Sequence, residues 1–258
     1  MCGILGLVTS NKISKKNFKD SLKLISHRGP DNFDTYFKTL KDKKIALGHV
    51  RLSIIDLSKN SNQPFSIGDY NIVFNGEIYN FESIKIKLEK KGVVFKTRSD
   101  TETILQSYIR FGIKKTLKLL HGMFAFVILD KKKNKMILAR DRIGIKPLYY
   151  LISNNQFIFS SETKSIKKLF KYKLDINLEA AANFYYHKYI YDPKTIFKKI
   201  NAVEAGEFLE LNIKNLKISK NRYWNLKRNI VEKNETEVID KVEELLHQSI
   251  KKHLVSDV

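Results

Sequence analysis

The sequence predicts an α+β fold, in which antiparallel hairpins and separate helices share one core, and three observations carry that expectation. Apolar runs of strand length come in pairs split by turn residues, such as Lys133-Asn134 and Asn154-Asn155. Segments with helical spacing stand apart from these pairs instead of alternating with single strands, as a doubly wound sheet would require. The chain has 258 residues, of which 43% are hydrophobic and 11% aromatic, enough for a sizeable core and too apolar for a disordered polymer.

The elements follow in order. Residues 2–8 form a short apolar run rich in small and branched side chains, which predicts a strand at the N-terminus. Apolar residues at 18, 22, 24 and 25 predict a helix over 18–25. Strands are expected at 45–52 and 70–74, then helices at 81–91 and 101–111. A hairpin over 124–129 and 135–139 precedes another over 148–152 and 156–160, and a helix follows at 161–170. No repeat is visible. From 235 to 254, apolar residues at 238, 239, 242, 245, 246, 250 and 254 trace one helical face that needs a partner. Residues 222–234 are polar and patternless. The expected organisation is therefore one domain over 2–224, with 225–258 a linker and the first helix of a second unit that this chain barely begins.

Net charge is +21, which invites a nucleic-acid partner. The excess consists of 40 Lys against eight Arg, scattered along the chain, whereas base and phosphate recognition favours Arg forks. Lysine-biased, solvated faces are the better reading, and nucleic acid is not expected. The longest uninterrupted apolar run, 123–129, is far short of the roughly 20 residues that span a bilayer, so no membrane partner is expected either. The opening MCGILGLV lacks a secretory n-region, and the single cysteine cannot form an internal disulfide, so a reducing, cytoplasmic setting is expected. No His, Cys or carboxylate cluster has metal-ligand spacing, and no metal is assigned.

Cys2 carries the first chemical signal. A lone cysteine is ordinarily a small buried hydrophobe. Removal of Met1, which a small second residue permits, would place the Cys2 thiol beside its own α-amine. That amine has an ordinary pKa of about 7.7 to 8.0, so one residue would supply both nucleophile and base. Gly3 removes side-chain bulk beside it.

Downstream stand HRGPD (27–31), GHVRLSIIDLS (48–58), NQPF (62–65), FNGEIYN (74–80), SDTETIL (99–105), GMFAFVILD (122–130), RDRIGIKPLYY (140–150) and SSETKSI (160–166). Together with CGILGLV they resemble, over about residues 2–224, the class II glutamine amidotransferase domain of glutamine-hydrolysing asparagine synthetases. Relatives of purine and glucosamine-6-phosphate synthesis typically carry a Tyr-Ser-Thr type sequence where this chain has Arg51-Leu52-Ser53-Ile54-Ile55-Asp56. The resemblance implies an N-terminal nucleophile hydrolase fold, a four-layer αββα sandwich with two antiparallel sheets between helices.

It also implies site roles. Thiolate attack on an amide makes an oxyanion that needs donors fixed in advance. By resemblance the Asn75 side-chain amide and the Gly76 N–H supply them, the missing Cβ of Gly76 letting the substrate approach, although Asn-Gly alone would read as a type I′ turn. Free glutamine is a zwitterion. Arg51 is the expected bidentate partner of its α-carboxylate, Asp100 and Glu77 grip its α-ammonium, and Leu52, Ser53, Ile54 and Ile55 line the pocket with backbone groups. Taken singly, Asp100 would read as a helix cap or first-turn anion and Arg51 as a strand-end surface charge. His27 and Arg28 receive no role.

In the family a synthetase domain follows, using ATP and Mg²⁺ to activate aspartate, with its pyrophosphate loop after a strand expected to begin around 255–258. That loop does not occur in this sequence, and NAVEAG at 201–206 replaces a Leu-Pro-Gly type turn. The expected partners are L-glutamine and a synthetase domain in cis or trans, and a homodimer is compatible with this reading. An amidotransferase serving another acceptor, such as a cell-surface sugar, and a non-catalytic basic binding module are the alternatives.

Overall fold

The computed structural model describes residues 1–228, 234–254 and 257. In chain order the elements are β1 (Gly3–Thr9), α1 (Lys15–Lys23), β2 (Asn32–Leu40), β3 (Lys43–Arg51), β4 (Phe65–Ile67), β5 (Tyr70–Ile78), α2 (Phe81–Glu89), α3 (Asp100–Phe111) and α4 (Ile113–Leu119). They continue with β6 (Gly122–Asp130), β7 (Lys135–Arg140), β8 (Tyr149–Ser153), β9 (Gln156–Ser160), α5 (Thr163–Leu169), α6 (Leu178–His187), β10 (Ile200–Ala202), β11 (Glu207–Asn212), β12 (Ile218–Arg222) and α7 (Glu235–His253).

Two six-stranded antiparallel sheets result, ordered β10-β8-β9-β1-β3-β2 and β12-β11-β7-β6-β5-β4. Strand periodicity dictates how they stack. In β1 and β3, Ile4, Val8, Ile45 and Leu47 point toward the second sheet and meet Val73, Ala125, Val127 and Leu138. The alternate residues Leu5, Leu7, Ala46 and Val50 point outward and are covered by Phe18 and Leu22 of α1 and Ile166 of α5. The second sheet repeats the pattern, with Ile72, Phe74, Phe126 and Ile128 packed under Ile84 and Leu88 of α2, Ile104, Leu105 and Tyr108 of α3, and Leu117 of α4. Apolar clusters cover both faces of each sheet, which makes the architecture the αββα sandwich expected for the N-terminal nucleophile fold.

The strands and helices expected from the sequence are present, with shifted ends. The elements that escaped are β2, β4, α4, α6 and β10 to β12. Of these, β2 lies at a sheet edge and is half-exposed, so its apolar residues 33, 36, 37 and 40 follow no strict alternation. Helix α7 matches the amphipathic pattern at 235–254, and all its residues are exposed, including Val238, Val242, Leu245 and Ile250. Residues 229–233 of the expected linker, and 255, 256 and 258 of the expected strand, lie outside the described residues. Among the described residues no helix is long and apolar enough to cross a membrane.

Candidate active site

The inter-sheet core has an open end, and period-two geometry fills it with polar residues. Cys2 continues the inward series of Ile4 and Val8, His49 and Arg51 continue that of Ile45 and Leu47, and Asn75 and Glu77 continue that of Val73. Because β1 and β3 are antiparallel, with Gly3 opposite Val50, the start of one strand lies beside the end of the other. Residues 2 and 51 therefore share one pocket, together with Asn75, Gly76, Glu77 and Asp100.

The thiol of Cys2 is held by the backbone of Leu52, whose N–H lies 3.4 Å from Sγ and whose carbonyl lies 3.5 Å from it. Burial pushes the thiol pKa up, and the Leu52 contact opposes this. Arg28, left without a role by its spacing, donates Nε–H to the Cys2 carbonyl at 2.9 Å and pairs with Glu162 at 3.2 Å. His27 meets the same carboxylate at 2.9 Å. HRGPD thus fixes the backbone at Cys2, and its Asp31 accepts the Ser53 N–H at 2.7 Å.

Asn75 is wholly buried, and neither its side-chain oxygen nor its nitrogen has a hydrogen-bond partner in the structure. Buried amides are ordinarily paired, and leaving one unpaired costs about 1 to 3 kcal/mol, so the site holds an unused donor and acceptor at the pocket wall. The bland reading of Asn75-Gly76 as a hairpin turn fails, since both lie within β5, opposite Ala125 and Phe124 of β6. Gly76 has φ +156°, and a Cβ there would sit 2.1 Å from the Met123 carbonyl oxygen. The expectation that its missing side chain clears room for substrate is thereby corrected: what it admits is the neighbouring strand.

The strand is gripped just before Asn75. Phe74 O meets Nε2 of the fully buried His49 at 3.0 Å, and Phe74 N–H donates to Oε1 of Gln63 at 2.6 Å. Gln63 in turn donates to Thr101. Burial drives the His49 pKa down to about 3, so the ring is neutral and fit to donate Nε2–H. The motifs GHVRLS and NQPF carried this support, but no spacing rule joins 49 and 63 to 74.

Arg51 differs from its expected role. The residue is 5% exposed, and both terminal nitrogens are engaged: Nη1 donates to Ser58 O at 3.0 Å and to Asn62 Oδ1 at 2.8 Å, and Nη2 donates to Ile55 O at 3.3 Å and to Asp56 O. The fork expected to clamp a carboxylate here shapes the 52–62 loop around the pocket. Leu52, Ile54 and Ile55 line that pocket, whereas Ser53 is turned to Asp31.

Ser99, not Asp100, caps α3, accepting the Glu102 N–H. Asp100 is left free to turn inward, where Oδ2 accepts the Ile78 N–H at 3.1 Å. Burial pushes its carboxyl pKa up to about 7, with Glu77 adding to the rise. A buried carboxylate and Glu77 on one wall make a site suited to a cation. Lys146, Met1 and Thr101 also line the pocket; Lys146 and Thr101 stand in the motifs at 140–150 and 99–105 but had no assigned role. Among the described residues no group of three or more His, Cys, Asp or Glu side chains is placed to hold a metal ion.

A family model described as glutamine amidotransferase domain matches residues 1–224. Asparagine synthetase (glutamine-hydrolyzing) 1 of Bacillus subtilis (strain 168) is 35% identical over 265 residues, covering 100% of this chain and 41% of the relative. Asparagine synthetase (glutamine-hydrolyzing) 2 of the same organism is 36% identical over 282 residues, covering 100% of this chain and 36% of the relative. The chain spans about half the length, or less, of the curated relatives it matches. Among solved structures, glutamine phosphoribosylpyrophosphate amidotransferase from B. subtilis, complexed with ADP and GMP, superposes with a TM-score of 0.64 at 22% identity, over 86% of this chain and 49% of that one, a likeness of fold.

Proposed function

This chain belongs to the glutamine amidotransferase domain family, and from that premise we propose that Cys2, once Met1 is removed, attacks the side-chain amide of L-glutamine and releases ammonia and glutamate. The α-amine of Cys2 takes the thiol proton as sulfur attacks the amide carbon. The tetrahedral oxyanion receives the Asn75 side-chain N–H and the Gly76 backbone N–H. The protonated amine then gives its proton to the departing nitrogen, leaving a γ-glutamyl thioester and ammonia. Water, deprotonated by the same amine, cleaves the thioester to glutamate and restores the thiol.

Recognition of glutamine divides among the other residues. Asp100 and Glu77 face the α-ammonium, and Leu52, Ile54 and Ile55 bound the side chain. Arg51 acts chiefly through the loop it shapes, with Nε–H as the donor left for the α-carboxylate. The observation that carries this reading is the unpaired amide of Asn75 buried in the pocket that holds Cys2. Ammonia release from glutamine by the Met1-free chain, lost in Cys2→Ala, tests it, and equal release by that variant overturns it.

By likeness to relatives named glutamine-hydrolyzing asparagine synthetases, the ammonia serves ATP-dependent amidation of aspartate. ATP and Mg²⁺ would be held by a synthetase domain in cis or trans, with residues 225–258 leading into it. Such a protein would act in the cytoplasm. Aspartate, ATP and Mg²⁺ given to this chain alone should yield no asparagine, and asparagine formation would overturn the division of labour.

A further inference from the structure

Lys146 is 5% exposed and makes no salt bridge among the described residues. The contact found for its ammonium is to Sδ of Met1 at 3.2 Å. It lines the pocket of Cys2, Asn75 and Glu77. Burying a cation is costly, and burial lowers the Lys146 pKa from its ordinary value, with Glu77 and Asp141 opposing the fall. The surrounding loop is nevertheless built to hold it there. Lys146 N–H donates to Asp141 Oδ2 at 3.0 Å, and Arg140 Nε–H donates to Lys146 O at 2.9 Å. Asp141 also accepts the N–H groups of Phe124, Ile143 and Ile145, while Arg140 reaches the carbonyls of Gly144 and Val203. One loop is tied at seven points, and what it presents to the pocket is a single ammonium.

We propose that Lys146 is an electrostatic positioning residue for the nucleophile, its cation disfavouring the protonated α-amine and favouring negative charge on the Cys2 sulfur so that the pair reaches its reactive form at lower pH. This rests on the reading of Cys2 as an N-terminal nucleophile. A nearby positive charge opposes protonation of an amine and favours a thiolate, so the two effects act together. Two other cations face the site in the same sense, Arg28 toward the amine and Arg51 toward the thiol. Arg28 pairs with Glu162, which His27 and Lys164 also contact, and the terminal nitrogens of Arg51 are held by loop oxygens. Glu77, Asp100 and Asp141 act in the opposite sense, and Asp141 is engaged with four backbone N–H groups. The N-terminal amine of Met1 already sits below its ordinary pKa, chiefly through burial, with Cys2 and Glu77 opposing and Arg28 and Lys146 adding to the fall.

The test compares the full chain, shown by intact mass to lack Met1, with its Lys146→Met, Lys146→Gln and Lys146→Arg variants. The rate of Cys2 alkylation by iodoacetamide is followed by peptide mass spectrometry from pH 5 to pH 10, alongside kcat/KM for ammonia release from glutamine. Lys146→Met and Lys146→Gln should move the alkylation midpoint and the acidic limb of kcat/KM upward by about one pH unit, the size of a single neighbouring charge. Lys146→Arg should restore both. An even fall in rate at every pH with the midpoint unmoved would mean a purely structural lysine and overturn the proposal, as would unchanged profiles in folded variants. A Lys146-dependent midpoint in a protein that releases no ammonia from glutamine would support this inference while removing the proposed substrate.

Discussion

The backbone N–H of Leu52 lies 3.4 Å from the Sγ of Cys2, so the first residue after β3 holds the sulfur at the start of β1. This contact joins the loop that bounds the pocket to the atom proposed to react. Arg28 fixes the other side of the same residue through the Cys2 carbonyl. Cys2 is therefore held at its sulfur by the Leu52 backbone and at its carbonyl by the Arg28 side chain before any substrate arrives.

Cys2→Ala should abolish ammonia release and leave the melting temperature within a few degrees of the parent, because Ala fits the same space. Retention of Met1 should be nearly as damaging. It converts the α-amine to an amide without basicity and leaves the Met1 side chain in the pocket. A protein with an uncleavable residue ahead of Cys2 should lose about 10² or more in turnover, the scale of a general base. Intact mass and activity measured on the same samples should track each other.

Asn75→Ala should lower kcat by about 10² or more, as loss of one oxyanion donor does. Its effect on stability should be small or favourable, since two unpaired buried polar atoms are removed. Gly76→Ala should behave oppositely. The new Cβ would meet backbone of β6 at 2.1 Å, so unfolding at lower temperature, and not a kcat change in a stable protein, is the expected result. Calorimetry on both variants separates these outcomes.

Arg51→Lys keeps one charge but cannot reach four loop acceptors at once. Glutamine affinity should fall by roughly 10-fold or more, equal to one or two charge-assisted bonds at about 1.5 to 3 kcal/mol each. Because the same fork shapes residues 52–62, amide exchange in that loop should quicken as well. A weaker affinity with unchanged exchange would place Arg51 on the substrate alone.

Asp100 gives a pH dependence with a definite sign. Its carboxyl titrates near pH 7 in the folded chain against about 3.9 when unfolded, so folded protein holds the proton more tightly. The stability this contributes is full below about pH 4 and is lost as pH rises through 7. Asp100→Asn, which keeps an acceptor for Ile78 N–H, should melt higher than the parent above pH 7 and equally at pH 4. Glutamine's ammonium pairs only with the ionised form. Affinity, measured calorimetrically on a Cys2→Ala background, should therefore weaken by about tenfold for each pH unit below 7 and become flat in the Asp100→Asn variant.

Much of this site was legible as residue types in a sequence. Cys2, Asn75 and Asp100 stand in motifs whose chemistry can be named, and all three line one pocket. The cap reading of Asp100 and the turn reading of Asn75-Gly76 failed for local reasons that the chain itself partly shows. Ser99 is the better N-cap than Asp100, and the run through Ile78 is apolar enough to carry Asn75-Gly76 inside a strand. Arg51 was legible as a charge at a strand end, but not as the anchor of the following loop. Its partners are mostly carbonyl oxygens, and every residue type has one.

By itself the sequence determined the alternation along β1, β3 and β5, and with it which residues point between the sheets, because side-chain direction in a strand depends only on parity. It also determined which of those residues could act as nucleophile, amide donor or carboxylate. Only the tertiary structure decided that the inward series of three strands end at one pocket, that His49 and Gln63 bond the carbonyl and the N–H of Phe74, and that a loop 144 positions from Cys2 delivers Lys146 there. Those meetings depend on strand register and on sheet-to-sheet packing, which are set by the sum of many nonlocal contacts and leave no mark at any single spacing in the chain.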